Sequence, residues 1–214
     1  MTKDSLAFIG GGNMARSLIG GLVARGVAPE TLRVAEPVAE LREALSRDFG
    51  VRARESAPEA AQGAHTWVLA VKPQVMREVC EGLATLAQIH RPLVVSIAAG
   101  IPTARIDQWL GGGQAVVRAM PNTPALLGAG ATGLFANAAV GGGQREEAEA
   151  LMQAAGLTAW IEDEALMDAV TAVSGSGPAY VFLLAEAMQQ AGEAQGLDPA
   201  AARVLATQTL LGAA

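Results

Sequence analysis

The stretch FIGGGNMA, from Phe8 to Ala15, decides how the rest of the sequence is interpreted. It places Gly10, Gly12 and Ala15 in the order Gly-x-Gly-x-x-Ala, between a short apolar run and a segment with helical spacing. Glycines in such a turn let the backbone approach a pyrophosphate, and the following helix N-terminus attracts its charge. The alternative is a turn that only packs a helix on a sheet. That alternative accounts for Ala15 but not for three successive glycines, so the motif predicts a dinucleotide site.

An acidic residue, Glu36, closes the next apolar run, LRVAE. It lies about 20 residues beyond the glycines, where a dinucleotide-binding sequence places its ribose ligand. A carboxylate there accepts hydrogen bonds from both ribose hydroxyls and repels a 2′-phosphate, unless Arg33 or Arg42 compensates. These residues alone favour NADH, and a Glu36 side chain that points to solvent remains the alternative.

Short apolar runs alternate with helical segments over most of the chain. Strands are predicted at residues 6–10, 32–36, around 51, 67–73, 93–100, 115–122, 130–136 and 157–162, and helices at 13–25, 38–48, 75–86, 102–110 and 144–155. Apolar strands separated by helices predict an α/β fold with a doubly wound, mostly parallel sheet of the Rossmann type. After the last strand, the sequence predicts only helices. We therefore expect a dinucleotide-binding domain at residues 1–161 and an all-helical domain at 162–214.

Composition narrows the class of protein. With 214 residues, 51% of them hydrophobic, the chain can bury a substantial core. Its net charge of −6, with 15 basic against 21 acidic residues, argues against nucleic acid as a partner. The single Cys80 allows no internal disulfide, and the first residues lack the apolar run of a signal peptide, so a cytoplasmic location is expected. No apolar run reaches the roughly 20 residues that cross a bilayer, so no membrane partner is expected.

Three further strand ends carry candidate binding residues, because ligands of parallel sheets bind beyond the carboxyl ends of the strands. The candidates are Val71, Lys72 and Pro73, then Ala98, Ala99 and Gly100, and then Asn122 and Thr123. The small residues of the second group would let a nicotinamide ring lie close to the backbone. Asn122 and Thr123, held between two prolines, offer polar groups to an amide or a substrate. Lys72 either contacts a ribose or a substrate carboxylate, or only ends a strand in solvent.

The motifs FIGGGNMA, LAVKPQ, VVSIAAG, RAMPNTPA and AVSGSGPAY, in that order, resemble those of pyrroline-5-carboxylate reductase, which makes proline with NADPH or NADH. The resemblance spans nearly the whole chain. It implies a Rossmann domain followed by a helical domain through which two subunits interlock, with dimers commonly assembling into larger rings. The implied reaction is hydride transfer from NADPH or NADH to L-1-pyrroline-5-carboxylate, which yields L-proline.

The resemblance also implies roles for particular residues. The cofactor-binding residues it implies are Ile9, Gly10, Gly11, Gly12, Asn13, Met14, Glu36, Val71, Lys72, Pro73, Ala98, Ala99, Gly100 and Asn122. The substrate-binding residues are Glu164, Ser176 and Gly177, with Asn122 and Thr123 as positioning groups. A protonated cyclic imine is already electrophilic, so alignment matters more than a catalytic base. The family continues with a Ser-Pro-Gly-Gly-Thr-Thr-like substrate loop that this sequence lacks, so the helical domain is expected to be incomplete. Three explanations stay open: a truncated chain, a disordered tail left out of the sequence, or a natural fragment. Substrate binding is expected to be weakened in the first and the third.

The remaining motif residues are assigned more simply. In AVSGSGPAYVF, Gly175 and Gly177 are expected to end one helix and Pro178 to begin the next, which predicts a tight junction. His65, before a strand, and His90, in a polar turn, are expected to be structural or exposed. Cys80 is expected in the core, and no cluster has metal-ligand spacing.

Two other functions stay open at this point. One is another NAD(P)H-dependent imine or β-hydroxyacid reductase on the same two-domain plan, which a panel of imines and oxo acids would separate. The other is a non-catalytic dinucleotide-binding protein, suggested by the missing substrate loop.

Overall fold

The computed structural model describes residues 5–214, which form one large sheet covered by helices and a helical C-terminal part. The strands are β1 (Leu6–Ile9), β2 (Leu32–Ala35), β3 (Arg52–Arg54), β4 (Thr66–Leu69), β5 (Leu93–Ser96), β6 (Ala115–Met120), β7 (Gly130–Ala136) and β8 (Gly156–Trp160). The helices are α1 (Asn13–Ala24), α2 (Ala39–Phe49), α3 (Ala57–Ala61), α4 (Pro73–His90), α5 (Thr103–Trp109), α6 (Gly142–Gln153), α7 (Met167–Val170), α8 (Gly177–Ala194) and α9 (Pro199–Ala213). Short 3-10 turns occupy Pro29–Thr31, Thr123–Leu127 and Glu164–Leu166, and a π-helical turn occupies Thr171–Gly175.

The strands form a single sheet in the order β3-β2-β1-β4-β5-β6-β7-β8. Neighbouring strands are parallel except for β6 and β7, which run antiparallel. The first six strands have the doubly wound order in which the connections reverse direction between β1 and β4. The predicted Rossmann-type, mostly parallel sheet with a helical C-terminal region is confirmed.

Both faces of the central strands are buried, as the continuous apolar runs predicted. Phe8 and Val68 belong to the core on one face, while Trp67 and Leu69 belong to the core on the other. Trp67 is fully buried, and its indole N–H donates to the carbonyl of Ala61 at 3.1 Å. This contact gives α3, a short helix that the sequence pattern did not predict, its place on the sheet.

The segment after β8 returns across the sheet and packs closely on it. A Cβ atom at Gly133 would lie 2.5 Å from Cγ1 of Val170, and one at Gly175 would lie 2.7 Å from Cε of Met120. Both glycines therefore permit contact between this segment and the β6–β7 pair. The predicted division after residue 161 stays a prediction, although the last strand ends at Trp160.

The junction before α8 differs from the one expected. Gly175 lies in a π-helical turn without a positive φ, and the backbone N–H of Ser176 donates to Thr171 at 2.7 Å. Gly175 is therefore needed for close packing and not for a left-handed helix end, whereas a Cβ atom at Gly177 would meet no atom within 4 Å. Pro178 does lie in the first turn of α8. His90, expected in a turn, is the last residue of α4.

Helices α8 and α9 pack on each other and leave much apolar surface exposed. Helix α8 has no buried residue. Its large apolar side chains that are at least half exposed are Tyr180, Val181, Phe182, Leu183 and Leu184. Within residues 5–214, none of the helices combines the length and the hydropathy that a membrane span requires.

Candidate active site

The carboxyl ends of β2, β1, β4, β5 and β6 lie side by side at one edge of the sheet, where they border a crevice. The backbone N–H of Gly10 donates to Ala35 at 2.9 Å, and that of Ala70 donates to Ile9 at 2.8 Å. These bonds extend the sheet pairing beyond the strands and fix the loops that follow them. The crevice opens at the reversal point between β1 and β4, where nucleotides bind in doubly wound sheets.

The three glycines of the first loop have different local constraints. Gly10 has φ +105°, and a Cβ atom there would lie 2.8 Å from the carbonyl oxygen of Ala70. A Cβ atom at Gly11 would lie 2.6 Å from a methyl group of Leu45, whereas one at Gly12 would meet no atom within 4 Å. Gly12 caps α1, whose first residue is Asn13. The open space at Gly12, in front of a helix N-terminus, fits a pyrophosphate.

The Glu36 carboxylate faces the glycine loop. One oxygen accepts the backbone N–H of Gly11 at 3.1 Å, and the other accepts that of Val38 at 3.0 Å. Only 7% of Glu36 is exposed, so the alternative that it points to solvent is wrong. Of the two candidate arginines, Arg42 lies beside Glu36 and donates to the carbonyls of Glu36 and Pro37, both at 2.8 Å. Contact between Glu36 and a ribose stays a prediction.

An apolar cavity of about 330 Å³ lies beside the glycine loop. Its lining includes Ile9, Gly10, Ala35, Pro37, Val71, Val75 and Val79, with the carboxylates of Glu55 and Glu78. This volume lies within the range of small-molecule sites, and an apolar slot between strand ends suits the flat adenine of a dinucleotide.

The helix that follows β4 begins earlier in the chain than predicted. Lys72 caps α4 and Pro73 is its first residue, where the missing N–H of proline carries no cost. The predicted helix start at residue 75 is therefore two residues late. The Lys72 side chain is exposed, so its two interpretations both stay open.

The loops after β5 and β6 form the other half of the crevice. Gly100 has φ +74°, and the backbone N–H of Ala98 donates to the Ser96 hydroxyl at 3.3 Å. Asn122 is buried; its side-chain amide donates to the carbonyl of Ser174 at 3.0 Å and accepts the backbone N–H of Ala131 at 2.9 Å. Asn122 thus joins the end of β6 to the π-helical turn. Its contact with a cofactor or substrate stays a prediction.

Thr123 begins the 3-10 turn after Asn122 and is exposed, while Ser176 and Gly177 are half-buried at the start of α8. The hydrogen bond between Asn122 and Ser174 brings this start of α8 to the same edge of the sheet. The predicted roles of these three residues in positioning or binding the substrate are not decided by these contacts.

Glu164 lies against the start of α5. One carboxylate oxygen accepts the backbone N–H of Thr103 at 2.7 Å, and the other accepts its hydroxyl at 2.9 Å. The buried Arg118 of β6 lies 3.7 Å from the same carboxylate. Sequence reasoning missed Thr103 and Arg118, although a single arginine inside the apolar run AVVRAM was a signal for Arg118.

Neither the cysteine nor a metal site contributes to the crevice in the part of the chain that the structure describes. Cys80 is fully buried in the core, as predicted, and burial raises the pKa of its thiol to about 12. Among the described residues, no three His, Cys, Asp or Glu side chains come together as a metal site.

This sheet, its glycine loop and the adjoining apolar slot define a dinucleotide-binding protein of the Rossmann type. A family model described as NADP oxidoreductase coenzyme F420-dependent matches residues 5–100, and a model of the pyrroline-5-carboxylate reductase dimerisation domain matches residues 164–214. The chain belongs to the pyrroline-5-carboxylate reductase family, whose members are NAD(P)H-dependent oxidoreductases.

Relatives with this name align along nearly the whole chain. Pyrroline-5-carboxylate reductase of Pseudomonas aeruginosa is 53% identical over 214 residues, which are 100% of this chain and 78% of the relative. The structure of a pyrroline-5-carboxylate reductase from Coxiella burnetii superimposes with a TM-score of 0.94 at 42% identity, covering 99% of this chain and 78% of that one. The Plasmodium falciparum structure with NADP bound gives 0.86 at 28% identity, with the same coverage of both chains.

Proposed function

We propose that this protein reduces L-1-pyrroline-5-carboxylate to L-proline with NADPH or NADH. The observation that carries the proposal is that the relatives of this name align with the whole chain, including the crevice loops and the helical part. The dihydronicotinamide of the cofactor would supply a hydride, with its electron pair, to the electrophilic imine carbon. The other two functions kept open by the sequence are outcomes of the test below.

The residues at the strand ends fit the cofactor in two regions. We propose that Gly12 and the N-terminus of α1 hold the pyrophosphate, because the space in front of Gly12 is free. The slot between Pro37 and Val75 would hold the adenosine. The small residues from Ala98 to Gly100 would then support the nicotinamide ring.

We also propose that the crevice walls determine the geometry of hydride transfer. Asn122 joins the strand edge to the segment that carries Ser174, which fixes the distance between the two walls. A fixed distance matters because hydride transfer between two bound molecules depends on their alignment more than on acid or base groups. Asn122 and Thr123 would orient the reactants, and Ser176 and Gly177 would contact the substrate.

The proposed assembly is a homodimer through α8 and α9, with larger rings of dimers as the family resemblance implies. Helix α8 has 18 residues and none of them is buried, so its packing on α9 covers little of its apolar surface. A contiguous exposed apolar surface is typical of a protein interface. An apolar groove of about 530 Å³, lined by Leu157, Val170 and Val173 among others, would receive part of the partner. The free thiol of Cys80 suits the reducing cytoplasm, the proposed location.

The test is oxidation of NADPH and NADH by the purified protein with pyrroline-5-carboxylate, followed by chromatographic detection of proline. A panel of other cyclic imines and β-oxo acids is assayed in parallel, with cofactor binding measured separately. We expect proline to form, with the highest kcat/KM for pyrroline-5-carboxylate. Preference for another imine or an oxo acid would refute the substrate assignment, and cofactor binding without turnover would favour the non-catalytic alternative.

A further inference from the structure

Arg118 is a buried cation inside the sheet. Only 6% of its side chain is exposed, and it lines a cavity of about 370 Å³ together with Gly100 and Glu164. Its guanidinium lies 3.7 Å from Glu164 and 3.6 Å from Asp168. Both distances exceed an ordinary N–H···O hydrogen bond, so the attraction is mainly between charges. Asp168 has a 90% exposed side chain, and water weakens its share of this attraction.

Glu164 is the better placed partner of Arg118, and its carboxylate already accepts two hydrogen bonds from another residue of the protein. Its oxygens accept the backbone N–H and the hydroxyl of Thr103 at 2.7 and 2.9 Å. The first of these bonds satisfies one unpaired backbone N–H in the first turn of α5, which begins at Thr103. Arg118 attracts the Glu164 carboxylate and helps to keep it in that position. Glu164 is also the first residue matched by the dimerisation-domain family model.

Thr103 lies three positions after Gly100, which ends the turn at residues 98–100. Ile101, between them, is buried, and Thr103 is held by Glu164, so this short connection is fixed in its middle and at its far end. A shift at Thr103 is therefore passed to the turn that supports the nicotinamide ring in the proposed function.

We propose that Glu164 and Arg118 are positioning residues: together they hold Thr103, and through it the turn at residues 98–100, where hydride transfer requires it. This inference rests on the proposed reductase activity. It differs from the role implied by the family resemblance, in which Glu164 contacts the substrate. The two roles predict different effects of a substitution at Thr103. This residue belongs to the connection between Gly100 and α5, and only the positioning role requires its side chain.

The experiment uses Glu164→Gln, Thr103→Val and the double variant. The glutamine side chain would keep an oxygen for the Thr103 N–H but lose the charge that faces Arg118, and valine preserves the shape of threonine without its hydroxyl. Thr103→Ser keeps the hydroxyl and serves as the conservative rescue. Glu162→Gln is the matched control, since this carboxylate is 84% exposed and pairs with Arg145 on the surface.

We expect Glu164→Gln and Thr103→Val each to lower kcat about tenfold, because small misplacements of reactants are costly. The KM for NADPH should change by less than about threefold, because the adenosine slot is not touched. The deuterium isotope effect with NADPH labelled at the transferred hydrogen should rise in both variants. The double variant should be no slower than the slower single variant, and serine should recover most of the lost rate.

Hydrogen exchange provides a readout that does not depend on activity. The amides of Ile101 and of residues 103–106 should exchange faster in both single variants than in wild type and in Glu162→Gln, with or without NADPH. If the wild-type chain does not turn over pyrroline-5-carboxylate, the proposed function fails, and this exchange measurement alone decides whether Glu164 holds the α5 turn.

Two results would overturn the proposal. If Thr103→Val keeps wild-type kcat and exchange while Glu164→Gln loses activity, Glu164 acts directly on the substrate. If both variants keep wild-type rates and exchange, neither bond positions the turn.

Discussion

The substitutions Gly10→Ala and Gly12→Ala are expected to damage different properties of the protein, the first its stability and the second its affinity for the cofactor. Gly10 has φ +105°, which alanine adopts only with strain, and its new Cβ would lie 2.8 Å from the Ala70 carbonyl oxygen and 2.9 Å from its carbon. Gly12 has φ −68° and ψ −178°, which alanine adopts freely, and its Cβ would meet no protein atom within 4 Å. The first change should therefore affect folding and the second only the proposed pyrophosphate site.

The sizes of the expected changes in stability and in NADPH affinity follow from these contacts. Strained backbone at Gly10 costs about 1–3 kcal/mol, and forcing a methyl group against fixed backbone costs about 1–3 kcal/mol more. At Gly12 the free energy of unfolding should change by less than about 1 kcal/mol, because this N-cap carries no side-chain hydrogen bond. The methyl group would instead occupy the space that the pyrophosphate needs. The affinity for NADPH should fall by at least about tenfold, or about 1.4 kcal/mol.

The assay combines urea denaturation without cofactor and titration of NADPH by its fluorescence. Gly82→Ala is the matched control, because Gly82 lies on the exposed side of α4 and its Cβ would also meet no atom within 4 Å. That variant should gain about 0.5–1 kcal/mol of stability and bind NADPH normally. If Gly12→Ala binds NADPH as tightly as wild type, the pyrophosphate does not lie over Gly12 and the reasoning is refuted.

Three further results are expected. Phe182→Glu should shift the protein from dimer to monomer in light scattering, whereas Ile89→Glu, at an equally exposed apolar residue on α4, should not; an unchanged dimer would place the interface elsewhere. Burial raises the pKa of Cys80 from 9.0 to about 12, so the folded state holds the thiol proton more tightly than the unfolded state does. The stability that results is complete below pH 9 and should be lost as the pH rises from 9 to 12. The free energy of unfolding measured with urea should therefore fall more steeply with pH in that range for wild type than for Cys80→Ala. Equal slopes would contradict the raised pKa of Cys80. Glu36→Gln should raise the ratio of kcat/KM for NADPH to that for NADH about tenfold by removing repulsion of the 2′-phosphate, and an unchanged ratio would mean that the carboxylate serves only the glycine loop.

The sequence predicted the elements that depend on local patterns. The run at residues 130–136 has the bounds of β7 in the structure, and the glycine motif was correctly placed between β1 and α1. The antiparallel direction of β7 was not predicted, because the connection at residues 121–129 sets that direction and the strand's own side chains do not.

The missed features depend on distant partners. Helix α3 has only five residues and too little periodicity to be detected, and the structure explains it through Trp67 on the sheet. The contact of Glu164 with Thr103 joins positions 61 residues apart, which no local pattern encodes. The contact of Glu36 with Gly11 likewise joins positions 25 residues apart, whereas its bond to Val38 is local and was overlooked.

The hydrogen bond from Asn122 to Ser174 also bears on the order of folding. It joins residues 52 positions apart, whereas the pairing of β1 with β2 closes a much shorter loop. Contacts of long sequence separation require more chain entropy to be lost before they form. We therefore expect the crevice to acquire its second wall only after the parallel sheet has assembled, and residues 164–176 to open during local fluctuations that leave the sheet intact.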